Sequence, residues 1–322
     1  MIPEVLRDSR NVYPMLSTIV GLLLLSMCLS YAITHYKDFQ LLRKISTLEF
    51  TSVYFLSMFS WVAYAWCNAV LYSVLGIKLR FKEWFSLTMM TTFANLFVPA
   101  GTGMGAKAIY LKQKHALGYS YFISLSSGLL LLTMLVNAVI GLSSCLILNL
   151  FYNVSSVPLT ILLSGILVGG FLLILLPGNI CLSNRKPFNR LEHLIKGWES
   201  FASHRGAQIR ISAVTVVRLA LLSIIYYLVF SAMNVDAEWL SCWIVASFGT
   251  IARLVNITPG SIGIYEYSVG LSAEAFGIPL AAGVTVALVH RAISVLIVLP
   301  FGALSILLLW WNRNDRGSEP PG

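Results

Sequence analysis

Residues 256–266 read NITPGSIGIYE and place one proline and two glycines inside a long apolar region. A related stretch, NLFVPAGTGMG, covers residues 95–105. In each case a short turn at a glycine, Gly118 or Gly277, follows the proline by 19 or 18 residues and opens a further long apolar segment. Broken apolar segments at matching places in two halves of a chain are typical of transporters built from inverted repeats, whose site lies near the middle of the membrane.

The composition indicates a membrane protein. The chain has 322 residues, of which 11% are charged and 57% hydrophobic, whereas soluble domains carry about 25% charged residues. A bilayer core is crossed by about 20 apolar residues. Six segments meet that length, namely residues 14–34, 51–75, 119–148, 158–177, 211–233 and 280–311. We therefore expect an all-α polytopic membrane protein without a soluble domain.

Two further apolar segments, residues 84–98 and 239–255, are short for full spans. We interpret each as the first limb of a re-entrant helical hairpin, with both chain termini in the cytoplasm. This topology puts most basic residues, including six in the central polar stretch, on the cytoplasmic side, as the positive-inside rule requires. Three basic residues at positions 37, 43 and 44 then lie outside, against that rule.

The same topology predicts a single integral-membrane domain over residues 1–311. Its first repeat covers about residues 51–148 and its second about residues 211–311, with opposite orientations in the membrane. A helix and a basic cytoplasmic loop, residues 157–210, join the two repeats. The polar tail, residues 312–322, is expected to be disordered.

Charged residues near the second break define a candidate site, because an intramembrane charge needs a partner or a watery cavity. In one interpretation Arg253 and Arg291 hold an anionic lipid headgroup, and Glu266 pairs with one of them or relays a proton. In the other, an arginine and Glu266 form a structural clamp between the hairpin and the last helix. The predicted site residues of this repeat are Arg253, Asn256, Pro259, Gly260, Gly263, Glu266 and Arg291.

The first break contributes a second set of candidates. Non-helical backbone at membrane depth needs protein or water to satisfy its polar groups, and a helix that begins after a glycine-rich turn offers free N–H groups to a phosphate. Lys107 either reaches that phosphate or extends to the interface, and we interpret Arg218 as extending to the interface. The alternative is that both breaks are simple kinks or interfacial loops. The predicted site residues of this repeat are Asn95, Pro99, Gly101, Gly103 and Lys107.

No catalytic residue, metal site or cofactor is predicted. The five cysteines are scattered without a CxxC pair, which indicates packing residues. The net charge of +9 reflects basic cytoplasmic loops, so nucleic acid is not an expected partner. The chain lacks both a P-loop motif and an Asp-Asp or DxD pair in a loop.

The run from Pro259 through Gly263 to Glu266, followed by Gly277 and by Arg291 in the last helix, resembles the C-terminal signature of a known family. That family is the lysylphosphatidylglycerol synthase transmembrane region, a flippase-like membrane domain found in aminoacyl-phosphatidylglycerol synthases and in stand-alone proteins. The resemblance covers about residues 10–311. The earlier Pro/Gly motif, from Asn95 to the turn at residues 118–120, is also similar, but alanine follows Gly105 where the family often has an acidic residue.

This resemblance implies an inner-membrane protein that acts on lipids or lipid-linked saccharides, often in cell-envelope pathways. In the synthases, aminoacyl transfer belongs to a separate soluble domain, so we do not expect aminoacylation here. The expected function is a non-enzymatic flippase for a phospholipid or lipid-linked saccharide with an anionic headgroup, passive or ion-coupled, with envelope-biosynthesis enzymes as candidate partners. The alternatives are an integral-membrane transferase on a polyprenyl-phosphate or lipid substrate, and a non-transporting member of an envelope-synthesis complex.

Overall fold

The computed structural model describes residues 46–97, 102–153, 156–175, 201–255 and 258–314. Within these residues the chain forms nine α-helices and no β-strand. The helices, numbered in chain order, are α1 Thr47–Ser73, α2 Phe81–Phe97, α3 Thr102–His115, α4 Tyr119–Tyr152, α5 Val157–Leu175, α6 Arg205–Ala232, α7 Trp239–Val255, α8 Ile264–Glu274 and α9 Leu280–Asn314. The expected all-α membrane architecture is confirmed.

Five of the described helices, α1, α4, α5, α6 and α9, are long and apolar enough to cross a membrane. They correspond to five of the six predicted spans, and the sixth, residues 14–34, lies outside the described residues. Helix α1 begins before residue 51, where the span was predicted to start, because Ser46 and Glu49 cap it reciprocally through side-chain and backbone hydrogen bonds. Helix α9 continues through Pro300 and past residue 311, into the segment predicted as a disordered tail.

The two Gly/Pro stretches each separate a pair of short helices that pack against each other. Helices α2 and α3 form hairpin 1, and helices α7 and α8 form hairpin 2. The first limb of hairpin 2 has the bounds that the sequence predicted. The first limb of hairpin 1 begins at Phe81, three residues before its predicted start at residue 84. A 3-10 turn, Pro259–Ser261, links the limbs of hairpin 2.

The packing between the two halves is reciprocal. The leading helices α1 and α6 pack along each other. The first limb of hairpin 1 packs on α9, the last helix of the second half, and the first limb of hairpin 2 packs on α4, the last helix of the first half. An internal two-fold relation between the halves would produce such an exchange of hairpins, and the inverted repeat stays a prediction.

The halves differ in how the second limb of each hairpin is held. Helix α8 packs closely along α9, where a Cβ atom on Gly283 would lie 2.8 Å from the Cα atom of Gly270 and 3.2 Å from the carbonyl oxygen of Val269. Two facing glycines let helix backbones approach this closely. Helix α3 makes far less contact with α4. Helix α8 is therefore fixed to α9, whereas hairpin 1 is held by the packing of its own two limbs, by α1 and by α9.

Buried apolar side chains form two large clusters on either side of the hairpin tips. One joins α1, α6, α7, α8 and α9 and contains Tyr226 and Tyr265. The other joins α1, α2, α3, α4 and α6 and contains Tyr72 and Leu111. Tyr265 in the first cluster and Tyr72 in the second contact the charged groups described next.

Candidate functional site

The turn of hairpin 2 depends on two glycines with left-handed backbone angles. Gly260 has φ +57° and Gly263 has φ +82°, a region that other residues rarely adopt. The hydroxyl of Thr258 donates to the carbonyl oxygen of Ile262 at 2.9 Å, and this bond closes the turn. Helix α8 then begins at Ile264. The sequence thus produces a tight connection between two helices, with carbonyl groups left to be satisfied by a side chain.

Arg291 satisfies those carbonyl groups. Its guanidinium donates to the carbonyl oxygens of Gly260 at 2.8 Å and Ser261 at 3.1 Å, and its Nε forms an ion pair with Glu266. The second carboxylate oxygen of Glu266 accepts from the backbone N–H of Gly263 at 2.8 Å, and the Glu266 side chain is 1% exposed. Arg291 is therefore charge-neutralised and tied to the hairpin turn. These contacts are those of the clamp that the sequence left as one of two interpretations.

Arg253 is held in place by a different set of contacts. Its guanidinium carbon lies 3.9 Å from the centre of the Tyr265 ring, and its Nη2 donates to His290 Nδ1 at 2.8 Å. Arginine cannot accept a hydrogen bond, so this nitrogen of His290 accepts and the neutral ring carries its proton on Nε2. Tyr265 then donates to the same nitrogen at 2.9 Å and accepts from Tyr226 at 2.6 Å.

The first hairpin places Lys107 in a buried polar pocket. Lys107 is 4% exposed, its Nζ donates to Asn68 Oδ1 at 2.6 Å, and it lies 5.2 Å from the centre of the Tyr72 ring. Extension to the interface was one interpretation of Lys107, and in this structure its ammonium group instead points to α1. At the tip of the hairpin, the backbone N–H of Gly103 donates to Asn95 Oδ1 at 3.0 Å, so Asn95 connects the two limbs.

Arg218 is a site residue that sequence reasoning missed. We interpreted it as a side chain that extends to the interface, and the structure shows that this was wrong. Its guanidinium carbon lies 4.5 Å from the centre of the Tyr64 ring, and its Nε is buried without a hydrogen-bond partner among the described residues. The helix pattern alone does not show whether this side chain extends to the interface or into the protein.

Lys107, Arg218 and Arg253 form what we call the basic cluster. Along α1, Tyr64 lies under Arg218, while Asn68 and Tyr72 contact Lys107. These α1 residues are four positions apart and share one helix face, so the two cations are separated by about 6–12 Å along the helix axis. Arg218, Arg253 and Arg291 all lie close enough to His290 to interact with it electrostatically.

The basic cluster lacks compensating carboxylates. Within the described part of the chain, no acidic side chain forms an ion pair with Lys107, Arg218 or Arg253, whereas Arg291 is paired with Glu266. Arginine stays protonated in proteins, and a buried charge without a counter-ion is costly. An anion would compensate these charges.

The end of α2 lies against the turn of hairpin 2. Helix α2 contacts the turn of hairpin 2, and a Cβ atom on Gly260 would lie 3.6 Å from a side-chain carbon of Leu96. Of the predicted site residues, Pro99, Gly101 and Asn256 lie outside the described residues, and for Pro259 the structure describes the backbone position in the turn. The structure brings Arg253, Gly260, Gly263, Glu266 and Arg291 together. Lys107 joins them through α1 and Arg218 instead of by direct contact.

The base of hairpin 1 is closed by a polar group at the opposite end from its tip. Glu83, near the start of α2, accepts from Tyr110 at 3.0 Å and pairs with Lys114 at 3.1 Å and with His115 at 2.7 Å. Burial raises the pKa of Glu83, but hydrogen bonds from His115, Lys114 and Tyr110 outweigh that effect and hold its pKa below the ordinary value. The three donors therefore favour the ionised carboxylate.

Glu83→Gln is expected to destabilise the protein by about 1–3 kcal/mol, because charge-assisted hydrogen bonds to three donors are lost. A depressed carboxyl pKa stabilises the folded state above the unfolded value of about 4, and this contribution is lost as the pH falls through the folded value. The unfolding temperature of the purified protein should therefore depend on pH below about 4 more strongly in the wild type than in the variant. Equal pH profiles would contradict this account.

Comparison with known proteins gives one match. The family model described as the lysylphosphatidylglycerol synthase TM region matches residues 18–302, which includes both hairpins and the whole basic cluster. Searches of curated proteins and of solved structures gave no match. The chain is an integral-membrane, multi-pass protein that belongs to the lysylphosphatidylglycerol synthase TM-region family.

Proposed function

We propose that this protein translocates a lipid with an anionic headgroup across the membrane. The headgroup moves along the basic cluster where the hairpins meet, and the acyl or prenyl chains stay in the bilayer. One observation carries the proposal: Lys107 is buried, and Arg218 and Arg253 are half-buried between apolar helices, without an acidic partner among the described residues. The description of the matched family names the synthase of a lipid, lysylphosphatidylglycerol. This description supports the proposal that the ligand is a lipid.

The two arginines of the cluster suit the binding and movement of an anion and are poor groups for proton transfer. Arginine side chains neither give up nor take a proton near neutral pH, so they serve poorly as general acids or bases. They bind phosphate through planar pairs of N–H donors. We therefore propose a transporter that is not an enzyme, and envelope-biosynthesis enzymes are proposed as its partners. With no P-loop in the sequence, transport is passive or ion-coupled.

We further propose that both hairpins are re-entrant and enter from opposite faces of the inner membrane, with both termini in the cytoplasm. The longest hairpin limbs, α2 and α7, have 17 residues each. At 1.5 Å per residue they extend about 26 Å, less than the roughly 30 Å hydrocarbon core. The contact between α2 and the turn of hairpin 2 supports a meeting point at depth.

Arg218→Met tests this function directly. We expect lipid translocation to fall about tenfold or more, because a charge-assisted contact to the headgroup, worth about 1.5–3 kcal/mol, is lost. The unfolding temperature should stay unchanged or rise, because an uncompensated buried charge is replaced by an apolar side chain. Translocation is measured in proteoliposomes with a tail-labelled anionic phospholipid and a membrane-impermeant quencher.

The matched control is Arg210→Met, which makes the same change eight positions earlier in α6. Arg210 is exposed, and its Nε donates to the carbonyl oxygen of Gly206 in its own helix. This variant should translocate lipid at the wild-type rate. Equal rates for both variants would remove the basic cluster from the proposed path, and metal-dependent turnover of the labelled lipid would favour a transferase instead.

A further inference from the structure

The charge balance of the basic cluster limits the kind of headgroup that it accepts. Arg291 has its own carboxylate in Glu266, so its charge is neutralised inside the protein. Lys107, Arg218 and Arg253 have no such partner among the described residues. A ligand that neutralises this site must therefore supply more than one negative charge, since a single charge would leave at least one arginine uncompensated at low dielectric.

Both arginines keep N–H donors that the described residues do not bind. The guanidinium carbon of Arg253 lies 3.9 Å from the centre of the Tyr265 ring, and that of Arg218 lies 4.5 Å from the centre of the Tyr64 ring. Arg218 Nε has no partner among the described atoms, and Arg253 has one side-chain hydrogen bond, to His290. A stacked guanidinium binds a phosphate through two parallel N–H bonds.

The third cation is set apart from the arginines. Lys107 is held by Asn68, one turn of α1 beyond the Tyr64 ring on which Arg218 lies. Because Lys107 also contacts Tyr72, it lies about 6–12 Å from Arg218 along the helix axis. A ligand that contacts both cations must therefore be longer than a single phosphate group, as a diphosphate is. An ammonium group on the ligand would meet like charge at every one of the three positions, which is unfavourable.

We infer that the headgroup carries at least two negative charges on adjacent phosphates, as in a lipid diphosphate, and that a headgroup with net positive charge is excluded. This inference rests on the proposed function and specifies its substrate class. Lysylphosphatidylglycerol itself has one phosphate and two ammonium groups, so the basic cluster excludes the lipid for which the family is named.

A binding measurement tests the charge requirement without transport. The full chain in neutral detergent is titrated with inorganic pyrophosphate and with inorganic phosphate, and the unfolding temperature is followed. Pyrophosphate should stabilise the wild type at concentrations at least tenfold lower than phosphate. Arg218→Met and Lys107→Met should each lose that preference, and Lys107→Arg and Arg210→Met should keep it. Equal effects of the two anions on the wild type, or a preference that survives Arg218→Met, would overturn the inference.

A transport measurement separates this inference from the proposed function. Proteoliposomes carry one of three tail-labelled lipids: diacylglycerol pyrophosphate, phosphatidylglycerol or lysylphosphatidylglycerol. Translocation of the diphosphate lipid at least tenfold faster than that of lysylphosphatidylglycerol supports the inference. Equal translocation of all three overturns the charge requirement and leaves translocase activity standing. Pyrophosphate binding without movement of any lipid overturns the proposed function, while the preference for a diphosphate stands.

Discussion

Arg291→Ala is expected to destabilise the protein by about 3–5 kcal/mol, which is the cost of removing one partner of a buried ion pair. The Glu266 carboxylate, 1% exposed, would lose its counter-ion. The carbonyl oxygens of Gly260 and Ser261 would lose their donors in a turn that already requires left-handed glycine. Because the hairpin turn and α9 are joined through this side chain, we expect the loss to appear as a large drop in unfolding temperature and in monodisperse yield.

A double-mutant cycle isolates the pair. Glu266→Gln, Arg291→Met and the double variant are compared with the wild type by unfolding in detergent. The double variant should be more stable than the sum of the two single losses predicts, because neither charge is then left alone. Additive losses, or an Arg291→Ala variant as stable as the wild type, would show that the contact between hairpin and α9 does not hold the turn.

Gly103→Ala is the second substitution with a large expected effect. A Cβ atom at this position would overlap the carbonyl oxygen of Thr91 and lie 2.8 Å from the Asn95 side-chain oxygen. The backbone of α2 cannot yield without separating the two limbs of hairpin 1, so overpacking should cost at least about 1–3 kcal/mol. Separation of the limbs would also break the hydrogen bond from the Gly103 backbone N–H to the Asn95 side-chain oxygen.

Gly105→Ala provides the matched control for this variant. Gly105 lies in the same helix two residues later, and a Cβ atom there would meet no other atom within 4 Å. Alanine is a better helix former than glycine, so this variant should be as stable as the wild type or slightly more stable. Both variants are compared by thermal unfolding and by size-exclusion profile. Equal stability of Gly103→Ala and Gly105→Ala would contradict the close approach of α2 and α3.

The helices were largely predictable from the sequence because their signals are local. The apolar segment at residues 239–255 ends where a proline and two glycines follow, and the helix ends there too. The start of α1 was placed too late because the apolar pattern, and not the Ser46 and Glu49 cap, set its predicted bound. Positions of caps are sequence features, so this error was avoidable.

The basic cluster was only partly predictable, because its members meet through distant contacts. Arg218 and its neighbour Tyr64 belong to different halves of the chain. Lys107 and Asn68 both belong to the first half, whereas Arg253 and His290 both belong to the second. An arginine inside an apolar helix faces either lipid or protein, and the helix pattern alone does not decide between them. The sequence predicted Arg253 and Arg291 as intramembrane charges but not Arg218, whose position depends on the packing of α1 on α6.

Reaction rates of two native cysteines test the central claim, that the basic cluster is an anion path open to water. Cys67 and Cys145 are buried to a similar degree, 3% and 5% exposed. Cys67 lies close enough to Arg218 to interact with it electrostatically, whereas Cys145 packs in an apolar cluster formed by α4, α5 and α7. Two variants are made, each of which keeps only one of these cysteines. Each variant is labelled with an anionic and with a cationic methanethiosulfonate, and each rate is divided by the rate of the same reagent with a small free thiol.

We predict that Cys67 reacts with the anionic reagent at least tenfold faster than with the cationic one, because the neighbouring cations attract the sulfonate. The ratio of the two rates at one thiol is independent of how much thiolate that thiol forms. Cys145 should react with neither reagent on the same timescale. A Cys67 that is as unreactive as Cys145, or one that reacts equally with both reagents, would contradict a water-accessible basic path between the hairpins.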